Sequence, residues 1–370
     1  MKTTVLRFEI KKGMTNMKKG YIVLENGQIF EGERFGYEGD AIGEIVFNTS
    51  AVGYIETLTD ACYQGQILVQ TFPLIGNYGW IDADTCGKEM KLAAYIVREW
   101  CEAPSNFRCE GTIDGELRKR NIPGICGVDT RMLTRIIREN GVMNAIICDD
   151  PSKVDLEALK AFKPKTSLDE AGICDEIKTY DAENASKKVT VVNYGEYLNI
   201  IPSLVSRGVS VTVIPYTATA EEILATKPDG IVLSNGAGDP KDAVCCIETV
   251  KALVGKKPIF GISLGHQLLA LAKGADTFKL KYGHRGTSQP VKDIVSGRTY
   301  ITAQNHGYAV DCDSAVKAGA VLTFVNGNDG TCEGLEFSDE KAFSVQFVPE
   351  KGFGKDNSEK VLFDKFASLL

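Results

Sequence analysis

The stretch KPIFGISLGHQLLALA, residues 257–272, places a short apolar run directly before a helical pattern. The run ends near Gly261, Ser263 lies at the turn, and the apolar positions from Leu264 onward fit a helix. A residue at such a turn presents its side chain to a cleft, where backbone N–H groups at the helix start favour a developing negative charge. The stretch therefore predicts a nucleophile elbow with Ser263 at its tip, although a serine in an ordinary loop remains an alternative.

Apolar runs alternate with helical patterns around this stretch. The predicted strands are KVTVVNY (188–194), VSVTVIPY (209–216), GIVLSNG (230–236) and KPIFGIS (257–263). Strands of this kind, alternating with helices, indicate a mostly parallel central sheet that is buried on both faces. Ligand sites in such sheets lie beyond the carboxyl ends of the strands, so SNGAGDP (234–240) and GISLGHQ (261–267) are expected on one rim.

The first part of the chain has a different pattern. YIVLENGQIFEG (21–32) contains an Asn-Gly turn between two apolar runs, and EIVFNTSAVGYIETLTD (44–60) mixes β-branched and aromatic residues. The clearest helix is RMLTRIIRENG (131–141), with Asp129 or Thr130 as its cap and Gly141 at its end. Its expected apolar face is Met132, Leu133, Ile136 and Ile137. Its Arg131, Arg135 and Arg138 are interpreted as a solvated face, with phosphate or partner binding as the alternative.

These patterns divide the chain into four segments. Residues 1–20 form an N-terminal extension, in which Met14 and Met17 are alternative starts, and residues 21–152 form a β-rich domain. Residues 153–186 are polar and charged and are interpreted as a linker with one small helix. Residues 187–370 form the α/β domain.

Composition narrows the class of protein. The 370 residues carry a net charge of −7, which gives no whole-chain attraction to nucleic acid or to an anionic membrane. No continuous apolar stretch near the N-terminus fits a signal peptide or a membrane span. Eleven cysteines without a CxxC pair indicate reduced thiols and a cytoplasmic location. No metal-ligand cluster, P-loop, haem motif or dinucleotide fingerprint is present in the sequence.

Two further segments carry polar groups toward the predicted rim. Gly236 and Gly238 in SNGAGDP allow backbone amides to approach a ligand oxyanion. Asn305, His306, Gly307 and Tyr308 in TAQNHGYAVD (302–311) offer polar side chains in the same half of the chain. Each segment alone is also compatible with a plain turn.

Taken together, these segments resemble the small subunit of carbamoyl phosphate synthetase, whose C-terminal half is a class I glutamine amidotransferase. The resemblance covers nearly the whole chain. Its N-terminal part rests on GEIVFNTSAVGYIETLTD, TFPLIGNYG, PSNFR and VDTRMLTRIIRENG. Its C-terminal part rests on LSNGAGDP, FGISLGHQLLALA, KYGHRG, PVKD and ITAQNHGYAVD, in the family's order.

The resemblance implies a reaction and a set of positions. In the family a cysteine thiolate attacks the glutamine amide, a histidine held by a glutamate moves the proton, and ammonia passes to the large subunit. ATP and magnesium belong to that large subunit, so no cofactor is expected in this chain. The corresponding catalytic positions are Ser263, Val348 and Glu350. The corresponding glutamine-binding positions are Ser50, Gly236, Gly238, Leu264, Gln267, Asn305, Gly307 and Tyr308.

Two of the three catalytic positions depart from the family. Ser263 replaces the cysteine and Val348 replaces the histidine, so a weak nucleophile is left without a base. By analogy with dissected serine proteases, losing both groups costs on the order of 10⁶ in turnover. VVNYGEYLNI (191–200) is also shortened, without the usual aspartate and lysine, and Arg285 stands where a second histidine is expected. Natural divergence explains these linked changes better than one engineered substitution.

Three functions follow as hypotheses. The first is a small subunit with lost glutaminase activity that supports an ammonia-using large subunit or senses glutamine. The second is a glutamine-hydrolysing subunit with unusual catalytic groups, which delivers ammonia for carbamoyl phosphate in arginine and pyrimidine synthesis. The third is a serine hydrolase that uses the GISLG elbow with His284 or His306 as base, because His266, one helical turn past Ser263, is interpreted as structural.

Overall fold

A computed structural model describes residues 17–86, 90–164, 168, 176–196, 199–349 and 357–370. The chain forms a β-rich N-terminal domain and a C-terminal α/β domain, as the sequence predicts. In the described part of the chain, no helix is both long enough and apolar enough to cross a membrane.

The N-terminal domain is built around a closed barrel. Its strands are β1 (Lys19–Leu24), β2 (Ile29–Gly36), β3 (Ala41–Asn48), β4 (Gln66–Gln70), β5 (Leu74–Ile75), β6 (Ala94–Ile96), β7 (Glu99–Trp100), β8 (Pro123–Cys126) and β9 (Met143–Cys148). The barrel order is β1-β2-β8-β6-β4-β3-β9, and β5 pairs separately with β7. The predicted Asn-Gly turn joins the antiparallel strands β1 and β2, with Gly27 at a φ of 85°. Closure leaves no unpaired edge in the barrel.

Four helices are described in this part of the chain: α1 (Tyr54–Thr59), α2 (Ile113–Lys119), α3 (Thr130–Asn140) and α4 (Leu156–Ala161). The Asp129 side chain caps α3 by accepting a 2.9 Å hydrogen bond from the Met132 N–H, and Gly141 ends the helix at a φ of 97°. Leu133, Ile136 and Ile137 are buried against the barrel. The expectation that Met132 shares this apolar face is wrong, because its side chain is half exposed on the solvent side of the helix.

The C-terminal domain contains a ten-stranded sheet. The strands described in this domain are β10 (Lys178–Tyr180), β11 (Lys187–Asn193), β12 (Gly195–Glu196), β13 (Val209–Pro215), β14 (Gly230–Leu233), β15 (Asn235–Gly236), β16 (Ile259–Ile262), β17 (Thr277–Asp293), β18 (Thr299–Val310), β19 (Val321–Asn326), β20 (Cys332–Phe337) and β21 (Ala342–Val345). The described helices are α5 (Ile200–Val205), α6 (Ala220–Ala225), α7 (Val244–Leu253), α8 (Leu264–Ala272), α9 (Cys312–Lys317) and α10 (Ser358–Leu369). The sheet order is β10-β13-β11-β14-β16-β21-β20-β19-β17-β18, and β12 pairs with β15 as a separate ribbon.

The centre of this sheet is parallel, and its flanks are antiparallel. Strands β13, β11, β14, β16 and β21 run parallel to their neighbours in this central group. Strands β20, β19, β17 and β18 extend one side as antiparallel ribbons. On the other side β10 pairs antiparallel with β13, so the 153–186 segment contributes an edge strand to this sheet as well as the helix α4.

Helices cover both faces of the sheet. One apolar cluster joins the sheet to α6, α7, α8 and α9, and a second joins its opposite face to α5 and α10. Within β11, Val189 and Val191 enter the second cluster and Val192 enters the first. Burial on both sides explains the continuous apolar runs of these strands.

The two domains meet at the rim of the C-terminal sheet. The Asn305 side-chain amide donates to the Asp60 carboxylate over 2.6 Å, and the Thr287 N–H donates to the Ser50 hydroxyl over 3.1 Å. Lys279 and Glu44 form an ion pair between the domains. The rim is therefore built by both domains together.

Candidate active site

Ser263 lies at the turn between β16 and α8. Its φ of 53° and ψ of −105° are a strained combination for a residue with a side chain. Glycines on either side make the turn possible: a Cβ on Gly261 would lie 2.7 Å from the Gly265 carbonyl oxygen, and one on Gly265 would lie 2.3 Å from the Leu233 carbonyl oxygen. The strand, turn and helix therefore have the elbow geometry that the sequence predicts.

The described contact of the Ser263 hydroxyl is with an amide and not with a base. The hydroxyl oxygen lies 3.5 Å from the side-chain nitrogen of Gln346. That amide is held by Gln267, whose side-chain nitrogen donates to the Gln346 oxygen over 2.9 Å and to the Tyr308 carbonyl over 2.7 Å. Among the residues that the structure describes, no imidazole or carboxylate hydrogen-bonds to Ser263. An amide can position the hydroxyl, but it cannot accept its proton.

Of the other two catalytic positions of the family, the structure describes position 348 but not position 350. The Val348 N–H donates to the Ala303 carbonyl over 3.0 Å, next to strand β18, and its aliphatic side chain has no atom that could accept a proton. Glu350 lies outside the described residues. The described catalytic positions therefore offer a hydroxyl and an aliphatic group.

A cavity of about 210 Å³ opens beside Ser263. Seven of the eight residues predicted to bind glutamine line it together with Ser263: Gly236, Gly238, Leu264, Gln267, Asn305, Gly307 and Tyr308. The cavity also reaches Glu44 and Cys62 of the N-terminal domain. Residues distant in sequence are thus brought to one place.

The eighth residue, Ser50, lines a neighbouring cavity of about 450 Å³ together with Val348. Its hydroxyl accepts the Thr287 N–H, and its carbonyl accepts the Gln70 side-chain amide over 2.9 Å. Asn305 lines both cavities, so it forms a wall between them.

The backbone of the SNGAGDP loop is partly engaged. The Gly236 N–H donates to the Asn235 side chain over 2.8 Å, and the Gly236 carbonyl accepts from the Cys62 thiol at 3.3 Å. A Cβ on Gly236 would lie 2.2 Å from the Tyr194 carbonyl oxygen, which explains the glycine. Gly238 has a φ of 102°, a conformation that favours glycine. Gly195, in the shortened loop, pairs with Gly236 across β12 and β15.

His266 is buried behind the elbow, away from the cavity lining. Its Nδ1 lies 2.8 Å from the Ser344 hydroxyl and its Nε2 lies 3.9 Å from the Cys332 sulfur. Burial lowers the pKa of His266 to about 3, so the ring is neutral at physiological pH. These contacts support the interpretation of His266 as a structural residue.

His306 lines the cavity, and each of its ring nitrogens lies close to an oxygen acceptor. Nδ1 lies 2.8 Å from the Tyr308 carbonyl oxygen and Nε2 lies 2.9 Å from Gln304 Oε1, so a neutral ring donates its single N–H to one of these two oxygens. Burial, and then the charge on His284, hold the pKa of His306 well below its usual range. The ring is fixed in place and is a poor proton acceptor.

His284 is buried and belongs to a charged cluster beside His306. Its Nε2 lies 2.9 Å from Asp329 and its Nδ1 lies 3.6 Å from Glu333, while its ring makes an edge contact with His306. In the described part of the chain, the ligating atoms of His284, His306 and Glu333 lie within 4.8 Å of one another. Because the imidazole is already paired with two carboxylates, we interpret this group as an ion cluster rather than a metal centre.

The His284 cluster predicts how stability depends on pH. Burial alone would lower the pKa of His284, but the bonds to Asp329 and Glu333 raise it to about 9. The folded value exceeds the unfolded value of about 6.5, so this contribution is complete below pH 6.5 and is lost as the pH rises through about 9. After allowance for the part-exposed Asp329, we expect a loss of about 2 kcal/mol in urea unfolding free energy between these limits.

The variant Asp329→Asn should flatten this alkaline decline, because the imidazolium then keeps only Glu333 as a partner. Asp339→Asn, at an exposed position, is the matched control and should leave the profile unchanged. An unaltered pH profile in Asp329→Asn would exclude the pair as its cause.

Three residues of the site were not predicted from the sequence. Gln346 lies two positions before Val348 in FSVQFVPE, and that spacing along a strand end could have indicated it. Asp60 and Cys62 reach the site only through the packing of the N-terminal domain. Burial raises the pKa of Asp60, and its bond from Asn305 opposes that rise.

Two features define the class of protein: an α/β sheet with a parallel centre, covered on both faces, and an elbow at a strand end beside a polar cavity. The class I glutamine amidotransferase model matches residues 190–369, which include the elbow. The model of the carbamoyl-phosphate synthase small chain, CPSase domain, matches residues 22–147, which form the barrel domain.

Similar proteins extend over both domains. The carbamoyl phosphate synthase small chain of Clostridium perfringens is 46% identical over 350 residues, covering 94% of this chain and 98% of that protein. The small chain of Oceanobacillus iheyensis is 46% identical over 354 residues, covering 96% of each protein. That of Listeria monocytogenes is 43% identical over 354 residues, covering 96% of this chain and 97% of that protein. This chain belongs to the carbamoyl phosphate synthase small chain family, which confirms the resemblance.

Proposed function

We propose that this chain is a small subunit of carbamoyl phosphate synthetase that binds glutamine without hydrolysing it. The observation that carries the proposal is the contact of Ser263 with the Gln346 amide, together with an aliphatic Val348 at the family's histidine position. The subunit would support an ammonia-using large subunit, which would hold ATP and magnesium, in the cytoplasm.

The chemistry of the site supports the loss of hydrolysis. A serine hydroxyl attacks an amide only when a neighbouring base takes its proton. His266 bonds to Ser344, and His306 is held by Tyr308 and Gln304, so neither ring is directed at Ser263. His284 is held by Asp329. The alternatives of a serine hydrolase and of a glutaminase with unusual groups both lack a base among the described contacts.

The architecture of the site supports retained binding. The backbone at Ser263 has the strained conformation of the elbow. Gly236 and Gly265 lie so close to neighbouring backbone oxygens that a side chain at either position would clash. Such strain costs of order 1–3 kcal/mol at one residue, and it persists where the surroundings enforce it. Seven of the eight predicted glutamine-binding residues line one cavity, which supports retained binding although the catalytic pair has changed.

The test is carbamoyl phosphate formation by the chain with its cognate large subunit, with glutamine or ammonium as the nitrogen source. We expect formation with ammonium and near-background formation with glutamine, while calorimetry detects glutamine binding to the chain alone. Equal formation from both sources would overturn the loss of hydrolysis. If Ser263→Ala then abolished glutamine use, the chain would instead be a glutaminase with unusual groups.

A further inference from the structure

Arg285 is a buried cation with no described hydrogen-bond partner on one edge of its guanidinium. The residue lies on strand β17, is 4% exposed and lines the cavity beside Ser263. Nη1 donates to the Tyr282 carbonyl over 2.7 Å. Nε is buried without a hydrogen-bond partner, and Nη2 lies near Gly307, 3.4 Å from where a Cβ on that residue would stand. The Nε and Nη2 edge is the edge that binds a carboxylate with two parallel hydrogen bonds.

No described carboxylate neutralises this cation. Asp60 and Glu44 lie in its electrostatic surroundings, but Asp60 accepts hydrogen bonds from Asn305 and Cys62, and Glu44 pairs with Lys279. Among the residues that the structure describes, Arg285 forms no ion pair. Burial lowers the pKa of Arg285, which reflects the cost of holding the charge away from water. A buried charge is normally paired, so a ligand anion would complete this site.

The remaining charges of the cavity indicate the kind of ligand. Asp239 and Asp242 line the same cavity as Arg285, and the other charged residues of its lining, Lys279 and Glu44, pair with each other. A cavity with a cation on one wall and carboxylates elsewhere suits a zwitterion better than an inorganic dianion. An α-amino acid has both charges, with a carboxylate for Arg285 and an ammonium for the acidic side.

We propose that Arg285 is a specificity-determining residue that binds the α-carboxylate of the amino acid in this cavity. The inference rests on the proposed function, because it takes glutamine as the ligand. It adds the requirement that the ligand have a free α-carboxylate, which Arg285 would bind through Nε and Nη2.

Calorimetric titration of the full chain with L-glutamine and with its α-carboxamide tests this proposal. The two ligands share the side chain and the ammonium and differ at the carboxylate. We expect the wild-type chain to bind glutamine about 10- to 100-fold more tightly than the carboxamide. Arg285→Gln should remove that preference and leave the carboxamide affinity unchanged. Arg131→Gln, which removes an exposed guanidinium on α3, is the control and should keep the preference.

The outcomes separate this proposal from the proposed function. Equal wild-type affinities for the two ligands, or equal weakening of both by Arg285→Gln, would overturn the role of Arg285 while glutamine binding stands. Absence of binding by either ligand would overturn both. Circular dichroism checks folding of Arg285→Gln; if that variant does not fold, the wild-type comparison of the two ligands decides.

Discussion

The double variant Ser263→Cys, Val348→His is expected to hydrolyse glutamine about 10²–10⁴-fold faster than the wild-type chain, the range that a positioned base contributes. Each single variant is expected to stay near background. A thiol at the elbow needs an imidazole to form the thiolate, and an imidazole at position 348 needs a nucleophile to activate. Groups that act as one unit are strongly non-additive, so the gain should appear only when both are present.

Release of glutamate and ammonia from glutamine measures this gain directly. Ser263→Ala, Val348→His is the matched control, since it has the base and lacks the nucleophile. A single variant with the full gain would show that a second catalytic group already exists in the chain. If the double variant binds glutamine but does not hydrolyse it, the loss of activity must also involve the other departures from the family, Arg285 and the shortened 191–200 segment.

Phe260→Ala is expected to lower the free energy of unfolding by about 4 kcal/mol. Phe260 is fully buried in β16, immediately before the elbow. Its ring stacks on Phe343 at 4.6 Å and makes an edge contact with Phe363 of α10 at 5.4 Å between ring centroids. Removing the ring leaves a cavity between the sheet and α10 that these rigid neighbours can fill only in part.

Urea denaturation followed by circular dichroism gives the change. Phe107→Ala is the control, because that ring is 96% exposed and its loss should alter stability by no more than about 0.5 kcal/mol. A loss below about 1 kcal/mol in Phe260→Ala would show that the aromatic cluster repacks around the gap.

The elbow and the central strands are predictable because their signals are local. An apolar run, a Gly-x-Ser-x-Gly turn and a helical pattern occur within sixteen residues of KPIFGISLGHQLLALA. The cap of α3 is equally local, since Asp129 bonds a backbone group three residues away. The prediction for Met132 is wrong because the buried face of α3 includes Leu133, Ile136 and Ile137 but does not extend to Met132.

The pairing of distant segments could not be predicted in this way. Barrel closure joins β3 to β9 and β2 to β8, and each pairing is set by packing across the domain rather than by its own sequence. TAQNHGYAVD, which is compatible with a turn when considered alone, is most of strand β18 and pairs with β17. The Asp60–Asn305 bond spans 245 positions, so no local pattern could indicate that the barrel completes the cavity.

The Asp60–Asn305 bond links ligand binding in the cavity to the contact between the two domains. Asn305 lines the cavity and donates a hydrogen bond to Asp60, so a molecule bound in the cavity lies against a contact between the two domains. A ligand that binds only when both domains are in contact stabilises that contact, by an amount that rises with the logarithm of its concentration once this exceeds Kd. If the proposed glutamine binding holds, a higher glutamine concentration would strengthen the association of the two domains. In that case the subunit would respond to glutamine without hydrolysing it.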